Sequence, residues 1–310
     1  MEQMYAKVSV LITGGAGFIG SHLADRLVAL GAHVTILDDL STGSLINIEH
    51  LQDKIHFIHG NITDFATCQQ AAYGKKIIFH LAAFLSVPKS LETPRLCHDS
   101  NIAGTFNMLE AARLNNVERF VFSSSAAVYG PVSGQCHEDM QCAPISPYGY
   151  SKLIGELYCQ QYAKNFNLGT VCLRYFNVYG HRQNPAGSYA AVVAKFTHQM
   201  QHNLPITLFG DGSQTRDFVP VQTIVDANLT LAQLPQDMMK GDSYNIASGN
   251  SISLLALIEL LKKEYPAYTA PIIFEPGRAG DLQHSQASVE KFTRILSSSS
   301  PSFKDQTLSL

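Results

Sequence analysis

The chain has 310 residues, of which 45% are apolar and 15% are charged, and its formal net charge is −3. This composition is that of an ordinary soluble protein with one large domain or two modest ones. It carries no excess of basic residues that would suggest nucleic acid or a membrane surface as a partner. The sequence lacks a signal-peptide pattern and a long apolar run, and its first residues are expected to run straight into a strand. A cytoplasmic location is therefore the default expectation.

The first half of the chain alternates short apolar runs with helical patterns. Buried strands are predicted at 7–13, 34–37, 55–58, 77–81, 119–123 and 170–175, and helices at 21–30, 102–113 and 150–166. Strands that are apolar throughout and alternate with helices indicate a parallel sheet covered on both faces. Right-handed crossovers then predict a Rossmann-like, doubly wound α/β fold.

This alternation ends at about residue 176, and a less regular region follows. Helices are predicted at 190–202 and 252–264, with a short strand near residue 208. The chain is expected to return to the first sheet between about residues 217 and 250. We therefore predict a first domain of residues 1–176 plus about 217–250, and a smaller α/β lobe of 177–216 plus 251–310. The six cysteines (Cys68, Cys97, Cys136, Cys142, Cys159, Cys172) are scattered, which indicates reduced packing residues and no metal site.

The stretch LITGGAGFIGSH places Gly14, Gly17 and Gly20 between the first strand and the first helix. This spacing allows a tight turn, a close approach to a pyrophosphate and close packing of helix on strand. The second strand ends in Asp38, which is placed to bind a ribose hydroxyl and to repel the extra phosphate of NADP. The turn therefore predicts NAD as the cofactor and the first domain as its binding domain, with Asp39 as a rival for the ribose.

Two more strand ends, HGNITD and HLAA, are predicted to form walls of the cofactor site, and His80 in the second is expected to be structural. The predicted cofactor-binding residues are Gly14, Gly17, Phe18, Ile19, Asp38, Asn61, Ile62, Leu81, Ala82, Ala83, Ser123, Tyr148, Lys152 and Tyr175.

The stretch SPYGYSK contains two tyrosines, and spacing selects one of them as a proton carrier. Tyr148 lies four residues before Lys152, so both share one face of a helix, whereas Tyr150 points elsewhere. A phenol has a pKa of about 10, and action as a base near neutral pH needs a decrease of about three units. One positive charge at about 4 Å supplies about 4 kcal/mol at an effective dielectric constant near 20. We therefore predict that Lys152 lowers the pKa of Tyr148.

The stretch FSSSAAVYG ends the fifth strand, at the sheet edge where this kind of fold binds ligands. A hydroxyl at this edge is placed to hydrogen-bond the sugar oxygen whose proton Tyr148 takes. Ser125, the last serine of the run, is the predicted residue, and an ordinary strand-end hydrogen bond is the alternative. The predicted catalytic set is therefore Ser125, Tyr148 and Lys152.

These stretches, together with LRYFNVYG and GDGSQTRDFV, resemble the extended short-chain dehydrogenase/reductase family, and most of all its UDP-sugar 4-epimerases of the N-acetylhexosamine branch. The resemblance implies that Tyr148 deprotonates the sugar 4-hydroxyl while C4 gives its hydride to tightly bound NAD. The 4-keto sugar then rotates and takes the hydride back on its other face. It also implies a nucleotide-sugar role for the second lobe and a homodimer built on helices 102–113 and 150–166.

The resemblance further implies a set of residues that contact the substrate. Beside Tyr148 these are Ser86, Ser125, Asn177, Arg216, Arg278, Asp281 and Ser285, while Asn101 would hold backbone behind the site. Two arginines in an acidic chain suit a diphosphate. Ser285 stands where strict glucose/galactose enzymes carry a bulky Tyr, so we expect UDP-GlcNAc and UDP-GalNAc as substrates and leave UDP-glucose and UDP-galactose open.

Rival functions are a related nucleotide-sugar 4-reductase, dehydratase or dehydrogenase, and a non-catalytic NAD-binding regulator. Ala126 and Ala127 disfavour dehydration because they replace the acid and base that it needs. The chain departs from the family pattern at Asn61, at Gln222 and at Leu85. The family's closing helix after the last substrate strand is also not evident in the sequence.

Overall fold

The structure, a computed structural model, describes residues 2–185, 191–277 and 283–299. The chain divides into two compact units. The first unit comprises Met1–Gly130, Gln141–Tyr175 and Val221–Tyr244, and the second comprises Pro131–Met140, Phe176–Pro220 and Asn245–Leu310. The predicted division assigned residues 131–140 to the first domain. In the structure they belong to the second unit, where the Cys136 backbone exchanges hydrogen bonds with Gln286 and Ser288.

The first unit is built on a seven-stranded sheet with the order β10-β6-β5-β4-β1-β2-β3. Its strands, numbered along the whole chain, are β1 Ser9–Thr13, β2 His33–Asp38, β3 Ile55–His59, β4 Ile77–His80, β5 Arg119–Ser125, β6 Gly169–Tyr175 and β10 Lys240–Ile246. The five pairs from β3 to β6 are all parallel. The prediction of a Rossmann-like doubly wound sheet is confirmed.

Helices cover the sheet because its central strands are apolar throughout. The helices of this unit with eight or more residues are α2 Phe18–Ala29, α3 Phe65–Ala72, α6 Gly104–Leu114, α7 Pro147–Phe166 and α9 Val221–Leu231. Residues of β1, β4 and β5 form one buried cluster with residues of α6 and α7. The residues of the site lie at the carboxyl ends of these strands and at the starts of α2 and α7.

Five helices of the first unit were not predicted: α3 and α9, and the shorter α1 Glu2–Tyr5, α4 Val87–Glu92 and α5 Pro94–His98. The expectation that the first residues run straight into a strand is therefore wrong. Tyr5 is fully buried, and its hydroxyl donates a 2.7 Å hydrogen bond to the Leu229 carbonyl on α9. This buried side chain and its hydrogen bond hold α1 against α9.

The second unit contains two small sheets and three helices among its described residues. The strands are β7 Asn177–Tyr179, β9 Thr215–Pro220 and β11 Ser251–Ser253 in one sheet, and β8 Ile206–Phe209 with β12 Ile272–Glu275 in the other. The helices are α8 Val192–Gln201, α10 Leu254–Glu264 and α11 Glu290–Ser299. The expectation that the closing helix is missing is wrong, since α11 is formed and buries Phe292.

All six cysteines are free thiols, as predicted, and five of them are buried while Cys142 is partly exposed. Within the described ranges, every helix is too short or too polar to cross a bilayer.

Candidate active site

A cleft of about 900 Å³, partly open to solvent, lies at the carboxyl ends of the first unit's strands. The strand order reverses between β1 and β4, and this switch point is where open parallel sheets bind ligands. Every residue predicted to bind the cofactor lines this one cleft, from Gly14 after β1 to Tyr175 at the end of β6. The strand ends therefore bring the predicted set together, and their contact with a cofactor remains a prediction.

The glycine turn keeps one end of the cleft free of side chains. Gly14 has φ +71°, and a Cβ there would lie 2.7 Å from the Ala82 nitrogen. A Cβ on Gly20 would overlap the Gly14 carbonyl oxygen. Gly17 is the N-cap of α2 and makes no side-chain cap bond, so the first N–H groups of the helix can bind an anion. This cradle fits a pyrophosphate.

Two neighbouring carboxylates line the cleft at the end of β2. Asp38 is buried and accepts hydrogen bonds from the backbone nitrogens of Ala16 (2.9 Å) and Leu40 (2.8 Å). Burial raises the pKa of Asp38, and these two hydrogen bonds partly offset the rise. Asp39 accepts from the Asn61 amide at 2.8 Å. Both carboxylates remain candidates for the ribose contact.

Sequence reasoning missed several residues that line the same cleft. They are Leu37, Ser41, Thr42, Gly60, Leu85, Ser100 and Ser124, whereas Gly20 and Asp39, which also line the cleft, were singled out from the sequence. Ser41 and Thr42 lie three and four residues after the end of the second strand, His33–Asp38. Their position just after a strand end was the signal that could have identified them.

The start of α7 positions Tyr148. Ser146 caps the helix by accepting from the Gly149 nitrogen at 3.1 Å, and Pro147 occupies the first turn. The Tyr148 backbone nitrogen donates to the buried Ser90 hydroxyl at 3.2 Å. Helix α7 thus begins one residue before Tyr148, so Tyr148 and Lys152 lie one turn apart, as the spacing predicted.

Ser125 and Tyr148 meet in the structure. The Ser125 hydroxyl lies close enough to the Tyr148 phenol to lower its pKa, and it accepts a hydrogen bond from the Ala127 nitrogen at 3.2 Å. Its strand, β5, packs against α7 so closely that a Cβ on Gly155 would overlap the Phe122 ring. The hydroxyl and the phenol are therefore held by two tightly packed elements.

The prediction that Lys152 lowers the pKa of Tyr148 is wrong for the protein by itself. Burial instead raises the pKa of Tyr148, and the hydrogen bond from Ser125 only partly offsets the rise. The Lys152 ammonium donates to the Ser123 carbonyl at 2.7 Å and lies 5.9 Å from the centre of the Tyr148 ring. Burial also lowers the pKa of Lys152 to about 8. The protein's own groups therefore keep the phenol protonated at neutral pH.

Two sets of buried hydrogen bonds, one through hydroxyl groups and one through an imidazole, lie next to residues that line the cleft. Ser123 donates to the Tyr175 hydroxyl at 3.1 Å, which in turn is bonded to Asn228. His80 lies between Thr13 and Thr105, at 2.7 and 3.1 Å. Burial lowers the pKa of His80 to about 3, so its imidazole is neutral, which agrees with the predicted structural role.

Asn101 lies in a π-helical turn, Asp99–Ala103, between α5 and α6. Its side chain accepts from the Phe84 nitrogen at 2.6 Å and donates to the Phe84 carbonyl at 3.1 Å. It also donates to the Ser151 hydroxyl at 2.9 Å, and Ser151 donates to the Tyr148 carbonyl at 2.7 Å. Asn101 thus joins the loop after β4 to the catalytic helix.

Of the residues predicted for the substrate, Tyr148 lines this cleft and Ser125 follows the lining residue Ser124, whereas the other described ones do not line it. Ser86 caps α4 by accepting from the Lys89 nitrogen at 3.2 Å. Asn177, Arg216 and Ser285 belong to the second unit. There the Asn177 amide donates to the Asp217 carbonyl at 3.2 Å, and Arg216 donates to the Thr215 carbonyl at 2.8 Å. The predictions for Arg278 and Asp281 lie outside the described residues.

The glycine cradle, the paired carboxylates and the Ser–Tyr–Lys set define a dinucleotide-dependent enzyme of the short-chain dehydrogenase/reductase type. The chain belongs to the NAD dependent epimerase/dehydratase family, whose model matches residues 10–247. The resemblance found in the sequence is thereby confirmed, and NAD is the cofactor of this family.

Similar proteins within the family are named as UDP-sugar epimerases. The UDP-glucose 4-epimerase of Mycolicibacterium smegmatis is 38% identical over 92% of this chain and 91% of its own. The solved UDP-N-acetylglucosamine 4-epimerase of Methanobrevibacter ruminantium, in complex with UDP-N-acetylmuramic acid, has a TM-score of 0.89. It is 34% identical, over 94% of this chain and 92% of its own. The Thermus thermophilus UDP-glucose 4-epimerase, solved with NAD, has a TM-score of 0.84 and is 33% identical, over 93% and 92% of the two chains.

Proposed function

We propose that this protein is a UDP-sugar 4-epimerase that interconverts UDP-GlcNAc and UDP-GalNAc, with UDP-glucose and UDP-galactose as further substrates to be tested. The observation that carries the epimerase assignment is that Tyr148, with the Ser125 hydroxyl near its phenol, and Lys152 line the same cleft as the glycine cradle. The preference for N-acetylated sugars rests on Ser285, whose small side chain would leave room for an acetamido group.

Tyr148 is proposed as the acid and base at the sugar 4-oxygen. Its phenol is protonated in the protein by itself, because burial raises its pKa more than the neighbouring Ser125 hydroxyl lowers it. It therefore needs additional positive charge nearby before it can take the 4-hydroxyl proton. Bound NAD would supply that charge while oxidised, and would accept and return the hydride of C4.

Lys152 is proposed to keep its charge beneath the site during this proton transfer. Its ammonium is anchored on the Ser123 carbonyl, 5.1 Å from the centre of the Phe122 ring. Because burial brings the pKa of Lys152 to about 8, the side chain is still charged at neutral pH. Ser125 is proposed to hold the 4-oxygen of the sugar against the phenol.

The residues proposed to hold NAD are those that line the cleft. Gly14, Gly17 and the start of α2 would bind the pyrophosphate, and Asp38 or Asp39 would bind the adenosine ribose. Two neighbouring carboxylates favour NAD over NADP, since each would repel a 2′-phosphate. In the second unit, Asn177 and Arg216 are proposed for the diphosphate of the UDP-sugar.

A homodimer through α6 and α7 is proposed as well. These helices pack against each other in the first unit. They nevertheless expose large apolar side chains, with Phe106 at 42%, Tyr150 at 54%, Leu157 at 52% and Phe166 at 48% exposure. A second copy of the chain would cover them, and analytical ultracentrifugation would detect the dimer.

One assay tests the proposed reaction. The purified protein is incubated separately with the four UDP-sugars, and the C4 epimers are separated by chromatography. We expect equilibrium mixtures of UDP-GlcNAc and UDP-GalNAc without added cofactor, because NAD stays bound through the cycle. Turnover that requires stoichiometric NAD or NADH would instead identify a dehydrogenase or reductase.

A further inference from the structure

A buried ion pair lies beside the catalytic elements of the first unit. The guanidinium of Arg174 meets the carboxylate of Glu156 through two hydrogen bonds of 2.9 and 2.7 Å. Both residues are almost fully buried. Ser124 donates to the same carboxylate, and Ser243 donates to it at 3.0 Å. The carboxylate therefore accepts four hydrogen bonds from three different strands.

These contacts tie together the three elements that carry the candidate site. Ser124 immediately precedes Ser125 on β5, and Arg174 immediately precedes Tyr175 on β6. Glu156 lies one helical turn beyond Lys152 on α7. Buried ion pairs are weak evidence for stability, since well-packed apolar residues often stabilise a fold as much. A buried ion pair with several hydrogen bonds requires one fixed geometry, and this geometry would align the groups that lie next to it.

We propose that Glu156 is a positioning residue, which acts through Ser124 and Arg174 to hold β5 and α7 at the spacing that brings Ser125 to Tyr148. The inference rests on the proposed function, since the contact that it protects is the proposed catalytic one. Glu156 itself neither lines the cleft nor touches Tyr148.

Glu156 also affects Lys152 through its charge. The groups that act on the Lys152 ammonium are Cys97 on α5 and Glu156 on α7, and both raise its pKa against the effect of burial. His80 on β4 is neutral, and Tyr148 is protonated in the protein by itself. Loss of the Glu156 charge would therefore lower the pKa of Lys152 further. A purely structural residue would not change that pKa.

The two serines offer a matched pair of variants. Ser124→Ala and Ser243→Ala each remove one hydroxyl from the Glu156 carboxylate and leave the ion pair in place. We expect Ser124→Ala to lower kcat for epimerisation about tenfold, because β5 carries Ser125. Since Ser124 also lines the cleft, bound NAD is measured in the same variant, and a loss of NAD that accounts for the fall in kcat would overturn the proposal. We expect Ser243→Ala to stay within twofold of wild type, because β10 carries none of the proposed site residues. Equal effects of the two substitutions would overturn the proposal.

A double variant, Glu156→Met with Arg174→Met, tests the charge without leaving one ion buried alone. Glu118→Gln with Lys76→Met is its control, since this ion pair lies just before β5 and β4, at the opposite ends of these strands from the cleft. Thermal unfolding first verifies that both variants are folded. We expect the first double variant to lose at least tenfold in kcat, and the alkaline limb of its kcat/KM profile to move to lower pH. The control should show neither change.

An unchanged kcat and an unchanged alkaline limb in the folded Glu156/Arg174 variant would overturn the proposal. If that variant does not fold, the serine pair decides the question alone. An inactive wild-type protein would overturn the proposed function instead, so the two failures are distinguishable.

Discussion

The two ends of the cleft are lined by different kinds of chemical groups. At the glycine turn, backbone nitrogens and the start of α2 form the surface, and side chains are excluded by close contacts such as that of Gly14 with Ala82. At the other end, buried hydroxyls, a phenol and an ammonium form the surface. The shape of the first end depends on the path of the backbone, whereas the chemistry of the second end depends on the protonation states of its side chains. Changes of pH should therefore affect the second end far more than the first.

Tyr148→Phe should produce the largest effect. It removes the phenol that contacts Ser125, so turnover should fall by about a thousandfold or more, which is the upper range for a general acid–base group. Binding of NAD should stay within about threefold of wild type, as measured by bound cofactor per protein. Tyr150→Phe is the control, since Tyr150 is 54% exposed and two residues away. Equal losses in both variants would contradict the assignment.

Lys152→Met tests the cost of a buried charge. The pKa of Lys152 falls to about 8 in the folded protein, from 10.5 when unfolded. Below pH 8 both states carry the proton, and the folded state bears the full cost of burying it. Between pH 8 and 10.5 the unfolded state binds more protons, so the stability of the wild type rises with pH.

The size of this effect follows from the shift in pKa. At about 1.4 kcal/mol per unit, the wild type should gain about 3 kcal/mol relative to Lys152→Met between pH 8 and 10.5. Urea unfolding of both proteins across this range measures the difference. A difference that does not vary with pH would mean that the ammonium is better solvated than its buried position implies.

The variant Asp38→Asn tests whether Asp38 contributes to the preference for NAD over NADP. The substitution keeps the shape but removes one of the two charges that face a 2′-phosphate, so the preference for NAD over NADP should fall about tenfold or more. Titration of the cofactor-free protein with each dinucleotide measures it. Asp39→Asn is the paired variant, and a larger change there would assign the ribose contact to Asp39.

Ser285→Tyr should give the smallest effect, confined to one class of substrate. We expect kcat/KM for UDP-GlcNAc to fall about tenfold, within the range for steric rejection of a small group, while UDP-glucose is little affected. Ser285→Ala should leave both unchanged. Full activity of the tyrosine variant on UDP-GlcNAc would remove the basis for the proposed substrate preference.

The sequence was enough to predict the glycine turn and Asp38 at the first end of the cleft. The apolar runs and the glycine spacing show where the strands end, and the ends of parallel strands lie at one edge of the sheet. The sequence was not sufficient for the second end. Spacing placed Tyr148 and Lys152 on one helical face, but it could not reveal that the ammonium turns toward the Ser123 carbonyl. The direction of a long flexible side chain depends on acceptors from other strands, which no local pattern contains. The short helices α4 and α5 were missed for a similar reason, since tertiary contacts such as that of Ser90 hold them.

The distribution of thiols has a practical use. Cys159 on α7 and Cys172 on β6 are fully buried, whereas Cys142 is partly exposed. A maleimide reagent should therefore attach quickly at one position in the native protein and slowly at the others. Mass spectrometry of the labelled peptides over time would report how often the catalytic helix lifts from the sheet, and whether bound nucleotide slows that opening.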